Sequence, residues 1–226
     1  MSRNIKNRAY EMTNRERAAR ATRRRTVDAA ARLFVRDGYS ETSIADIAAA
    51  ADVAVPTVYA SLRSKANILR AVVESTLRGD HEGVPLAKRA AWKEMEAEED
   101  AHEKLAAVAR IHTGVCEREA SVFAQLEAAA GSDAEATELL AEHDRKRYET
   151  QSTLARNLQR AKQLKAGLTA RRAADCIWAI ASERTYLALV AQRGWKPAEY
   201  ERWVAEQLEA ALLPGYDPPP TSRKAS

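Results

Sequence analysis

Four histidines, two cysteines and eight glycines are the residues of this 226-residue chain that could build a catalytic, metal or phosphate site. His81, His102, His112 and His143 show no metal-ligand spacing and have no nucleophile beside them in sequence. Cys116 and Cys176 stand far apart and in no CxxC pattern, which indicates neither a disulfide framework nor a zinc site. None of the glycines falls in GxG, GxxxxGK or GxSxG, so phosphate loops and a nucleophile elbow are missing. The acidic run from Lys93 to Asp100 could hold a carboxylate pair, but it reads better as a solvated face at a helix N-terminus, where the macrodipole favours negative charge. No cofactor and no metal are expected, and an enzyme is the more distant alternative.

The chemistry that the charge pattern does support is binding of a polyanion. Residues 1–65 carry 13 Lys and Arg against 7 Asp and Glu, whereas the rest of the chain carries 23 against 25. The chain's net +4 is thus +6 over the first third and −2 over the rest, as expected when one module meets a polyanion. Reading DNA needs phosphate anchors and a few side chains at base edges. Arg23, Arg24 and Arg25 are suited either to an adjacent groove or to general attraction.

The elements that would position such residues are helices. Ala, Arg, Glu and Leu dominate, Gly and Pro are sparse, and the pattern predicts an all-α chain. Residues 1–15 read as a flexible basic arm without periodicity. A helix is expected from Arg17 to Arg36, with Val27, Ala30, Ala31 and Phe34 on one face and Gly38 just past its end. Ser43 and Asp46 form a capping box for a second helix that carries Ile44, Ile47, Ala48 and Ala51 inward. A third begins near Ala54, with Pro56 in its first turn. Two short helices around a four-residue turn, packed on a longer one, make a helix-turn-helix. Val55, Pro56 and Thr57 then lie at the groove-facing end of its recognition helix, where Thr57 can hydrogen-bond and Val55 can touch a thymine methyl. Lys65 opens the next helix, whose free N–H groups favour a phosphate.

The remainder reads as a helical body. Ser64–Arg78 is expected as a helix with Ile68, Leu69, Val72, Val73 and Leu77 inward, followed by a loop from Gly79 to Pro85. Further helices are expected over 101–118, 120–130, 133–163, 169–192 and 197–213, with a disordered tail over 214–226. The stripes Ile177, Ile180, Leu187, Val190 and Tyr200, Trp203, Val204, Leu208, Ala211, Leu212 suit a four-helix bundle between two copies. The Arg-rich N-terminus has no apolar signal core, and the apolar stretch Cys176–Ala191 is broken by Glu183 and Arg184. A cytoplasmic protein with no membrane partner is expected.

The run Thr42-Ser43-Ile44-Ala45-Asp46-Ile47-Ala48, then Ala51 to Tyr59, then Leu62 and Ser64-Lys65, resembles the signature of the TetR family of bacterial transcriptional regulators. Asp52 stands where Gly is usual, Ala54 where Ser often caps the recognition helix, and Leu62 where Phe is usual. Asp tolerates positive φ, whereas losing the cap costs about 1 kcal/mol. The resemblance implies a three-helix DNA-binding domain over 16–64 and a larger effector-binding and dimerisation domain over 65–213. It implies a ligand-responsive repressor that binds a palindromic operator as a homodimer, with an activator or a ligand-independent regulator as alternatives. It also implies backbone contacts by Thr42, Ser43, Tyr59 and Lys65. A small apolar effector would lie among His112, Phe123, Tyr148, Trp178 and Tyr186.

Overall fold

The computed structural model describes the backbone of residues 2–78 and 89–215 and the side chains of residues 16–76 and 89–215. The expected loop at 79–85, His81 and nearly all of the tail lie outside the described residues, and so does the side chain of Leu77. The described backbone is helical, with no strand. No single helix among the described residues is long and apolar enough to cross a membrane. The chain divides into two compact units, Met1–Gly79 with Ser121–Leu140, and Asp80–Ala120 with Ala141–Ser226.

The first unit begins with α1 (Ser2–Asp37). This helix starts well before the expected Arg17, because the first 37 residues contain neither Gly nor Pro to stop it. Gly38, at φ +92°, ends it. α2 (Ile44–Ala50) opens with the capping box foreseen at Ser43 and Asp46. Asp52 takes up φ +53° in the turn, so Asp does fill the position where glycine is usual. α3 (Val55–Leu62) has Pro in its first turn and no side-chain cap at Ala54. Its last residue leads into Arg63, at φ +64°, where the Ser64 N–H donates to the Leu62 carbonyl across a tight three-residue turn. α4 (Lys65–Arg78) is capped by Ser64, whose hydroxyl accepts from the Asn67 N–H.

One core holds these helices together: Val27, Leu33 and Phe34 of α1, Ile47 and Ala48 of α2, Val58 and Leu62 of α3, and Ile68, Leu69 and Val72 of α4. It is completed by Val122, Leu126, Ala129, Ala136 and Leu139. The boundary expected at 64/65 is therefore not a packing boundary. α4 and a distant corner of the chain share the core of the helix-turn-helix.

That corner comes from α6 (Ala101–Ala130) and α7 (Ala134–Arg160), joined at Gly131. The two helices expected over 101–118 and 120–130 are one, since no proline or turn residue separates them and Gly114 alone does not break it. The second unit adds α5 (Ala90–Ala97), α8 (Ala170–Ile180), α9 (Glu183–Tyr186), a π-helical turn (Leu187–Gln192) and α10 (Pro197–Leu212). α5 ends within the acidic run that precedes α6, where the sequence suggests only a solvated face. The single helix expected over 169–192 is broken at Ala181-Ser182. Ser182 caps α9 by accepting from the Thr185 N–H at 3.1 Å. The carbonyls of Trp178 and Ala181, freed by the break, accept from Arg147 Nη1 at 3.2 and 2.9 Å.

Candidate functional site

The outer face of α2 and α3 is built by what the core leaves out. Val58 and Leu62 turn inward, so Val55, Pro56, Thr57 and Tyr59 are exposed on the opposite side. Val55 and Tyr59 are two of the three large hydrophobic side chains left exposed among the described residues, Tyr59 by half of its surface. Arg24, with Arg23 and Arg25, is exposed on α1. Arg63 is exposed at the end of α3, a basic residue that the sequence reading passed over.

Three of the expected contact residues have hydrogen-bond partners within the module itself. Thr42 is buried, and its hydroxyl donates to the Gly38 carbonyl at 2.8 Å, so it shapes the turn before α2 and presents no hydroxyl outward. Ser43 is exposed, but its hydroxyl is engaged by Asp46 in the capping box. That hydroxyl is also what chiefly holds the Asp46 carboxyl below its ordinary range. Lys65 is half-buried, its Nζ donating to the Ser40 carbonyl at 3.2 Å and lying 4.3 Å from the centre of the Tyr39 ring. Partial burial lowers its pKa, opposed by Asp133 and Glu41.

Tyr39 was not singled out from sequence, yet it ties the module to the α6–α7 corner. Its N–H donates to Gln125 Oε1 at 3.0 Å and its hydroxyl to Asp133 Oδ2 at 2.6 Å. Asp133 also caps α7 through the N–H groups of Glu135 and Ala136. Ser64 donates to Glu135 Oε2 at 2.7 Å. The segment before α2 and the segment after α3 are thus held against the same turn. The available signal was a tyrosine directly after a helix-ending glycine.

The second unit brings two of the five effector candidates, His112 and Tyr186, together against Tyr200. His112 Nε2 lies 3.1 Å from the Tyr200 hydroxyl, and Tyr186 packs edge-on to Tyr200 at 5.0 Å. Trp178 lies under the Arg147 guanidinium at 4.8 Å. Tyr148 donates to Asp175 instead, and Phe123 is buried in the other unit. The surroundings are more polar than an apolar pocket. Glu183 is 3% exposed, with His143 Nε2 at 3.4 Å and Arg147 Nε at 3.5 Å. Burial pushes its carboxyl up, but His143 and then Arg147 outweigh that and hold it down at about 2. Burial brings His112 down to about 4 and raises the Cys116 thiol. Glu119 is pushed up to about 7 by burial and then by the Glu183 charge. The sequence signal for this cluster was the charged Glu183 inside an apolar stretch, together with the i, i+4, i+8 spacing of His143, Arg147 and Gln151.

The described residues thus form a helix-turn-helix module and a second, helical unit. Residues 27–72 match the family model of bacterial regulatory proteins, tetR family. No curated protein matches the chain by sequence. Solved structures resemble it over nearly their whole length. One is a transcriptional regulator from Saccharomonospora viridis in complex with choline, at 22% identity, covering 84% of this chain and 97% of that one, with a TM-score of 0.66. Another is the SmeT–triclosan complex, at 20% identity, 88% and 98% coverage and a TM-score of 0.66. A third is NalD, the secondary repressor of the MexAB-OprM multidrug efflux pump in Pseudomonas aeruginosa, at 20% identity, 88% and 100% coverage and a TM-score of 0.64. The likeness to that family is thus carried in sequence by residues 27–72, and the solved structures share the fold.

Proposed function

We propose that the chain is a ligand-responsive repressor that binds a palindromic operator as a homodimer. The observation that carries this reading is the exposed row Val55, Pro56, Thr57 and Tyr59 on α3, outward from a basic module whose core is otherwise closed. Thr57 and Val55 meet base edges. Tyr59, Arg63 and Arg24 meet phosphates or an adjacent groove, and Lys65 with the N-terminus of α4 anchors one phosphate. Ser43 reaches the backbone only as part of its capping box, and Thr42 acts through the turn it holds. The first unit recognises DNA; the second binds an effector and pairs with its copy.

Pairing uses a narrower face than the apolar stripes suggest. Tyr200, Val204, Leu208 and Leu212 are fully buried within the unit, as is Ile177. Ile180, Leu187, Val190, Trp203 and Ala211 remain half-buried and are the side chains offered to a second copy. The small effector is supported by the choline and triclosan complexes of the two similar proteins, with His112, Trp178 and Tyr186 as its neighbours here.

Selection of bound fragments from a random duplex library by the purified protein, followed by sequencing, tests the reading. A near-palindromic consensus with half-sites about one helical turn apart is expected. A pool with no enriched sequence overturns it.

A further inference from the structure

Two polar stripes run through the interior of the second unit. α7 places His143, Arg147 and Gln151 at i, i+4 and i+8, and α6 places His112, Cys116 and Glu119 at i, i+4 and i+7. Glu183, the first residue of α9, meets His143 and Arg147. Glu119 is 4% exposed and feels Glu183, His143, Arg118 and Arg147. His112 is engaged by Tyr200, whose hydroxyl also donates to the Ser182 carbonyl at 3.2 Å. An apolar set of equal volume would hold these helices as well or better, because each charge taken from water costs several kcal/mol. Such a cluster therefore points to a role for charge itself.

The charges are nearly balanced, and one proton decides the balance. Arg147 is always cationic, Glu183 is held ionised, and His112 is held neutral. That leaves Glu119, which titrates near neutrality, and His143, whose pKa is raised because Glu183 and Glu119 outweigh its burial. With Glu119 protonated, two cations face Glu183 alone; with Glu119 ionised, two cations face two anions. The two groups then titrate as a pair. Arg147 transmits the difference, since the guanidinium that meets Glu183 also donates to both carbonyls at the end of α8. α6 provides the way out, because the unbroken helix that carries Glu119 also carries Val122 and Leu126 of the helix-turn-helix core.

We propose that this cluster of α6, α7 and α9 is a proton-operated regulatory site. Gain or loss of one proton on the Glu119–His143 pair changes the hold of Arg147 on the α8–α9 break and, with it, affinity for operator DNA. Only the last step rests on the DNA-binding reading above.

Two readouts on the full chain test it between pH 5.5 and 8.5 at constant ionic strength. The first is tryptophan emission without DNA, with Trp178→Phe identifying the share of the indole under Arg147. The second is anisotropy of a labelled duplex carrying the selected consensus. Wild type should show an emission transition near neutral pH and an affinity change of about tenfold between pH 6 and 8, within the range of ordinary allosteric coupling. Glu119→Gln should lose both transitions and show at pH 8 the affinity that wild type has at pH 6. His143→Gln, which removes a cation whose charge acts on Glu119, should move the transition to higher pH. A flat wild-type emission profile, or one unchanged in both variants, overturns the proposal. PH-independent affinity overturns the link to operator binding. Failure to bind any duplex at any pH overturns the repressor reading instead, and the emission profile then decides whether the cluster switches.

Discussion

At the scale of the residue, the proposed function assigns some side chains to reading DNA and others to holding the module. Thr57→Ala should relax preference at particular bases by about 1–3 kcal/mol, whereas Lys65→Ala should weaken binding to every duplex and reduce the salt slope by about 1, both measured by anisotropy. Tyr39→Phe removes the hydroxyl that donates to Asp133 and leaves the ring in place. A hydrogen bond to a charged group contributes about 1.5–3 kcal/mol, so a loss of that size is expected in urea unfolding. Glu119 gives the pH dependence its sign. Its folded value of about 7 lies above its ordinary 4.5, so its contribution to stability is complete below about pH 4.5 and is lost as pH rises through 7. Glu119→Gln should therefore match wild type at pH 4 and exceed it at pH 8 by about 1–3 kcal/mol in denaturant titrations.

At the scale of the element, caps and turns were the most legible part of the chain. The box at Ser43 and Asp46, the positive φ of Gly38 and Asp52, the proline at the start of α3 and the missing cap at Ala54 were all readable, because each depends on one or two neighbouring residues. Helix continuity was less so. The join of α6 across Arg118–Ala120 is invisible when a polar patch on an inner face is read as a loop. The break at Ala181-Ser182 depends on Arg147, more than thirty residues away. Ala54→Ser should restore the cap of α3 and raise stability by about 1 kcal/mol, seen as a higher thermal midpoint.

At the scale of the whole molecule, sequence periodicity located the apolar stripes but not what would cover them. Tyr200, Val204, Leu208 and Leu212 pack within their own unit, and the corner of α6 and α7 closes the core of the helix-turn-helix. Neither pairing follows from spacing along one helix. In the homodimer proposed above, the face offered to a second copy centres on the half-buried Ile180, Leu187, Val190 and Trp203. Trp203→Glu should shift the protein from dimer to monomer mass in sedimentation equilibrium at micromolar concentration. A monomeric wild type would remove the basis for two-fold operator recognition. The central claim is sequence-specific DNA binding through α3, and its most direct measurement is a competition titration. Labelled consensus duplex is displaced by unlabelled consensus or by scrambled duplex of the same length, at several salt concentrations. The consensus should compete at least about a thousandfold better, with affinity falling steeply as salt rises; equal competition by both duplexes would contradict the claim.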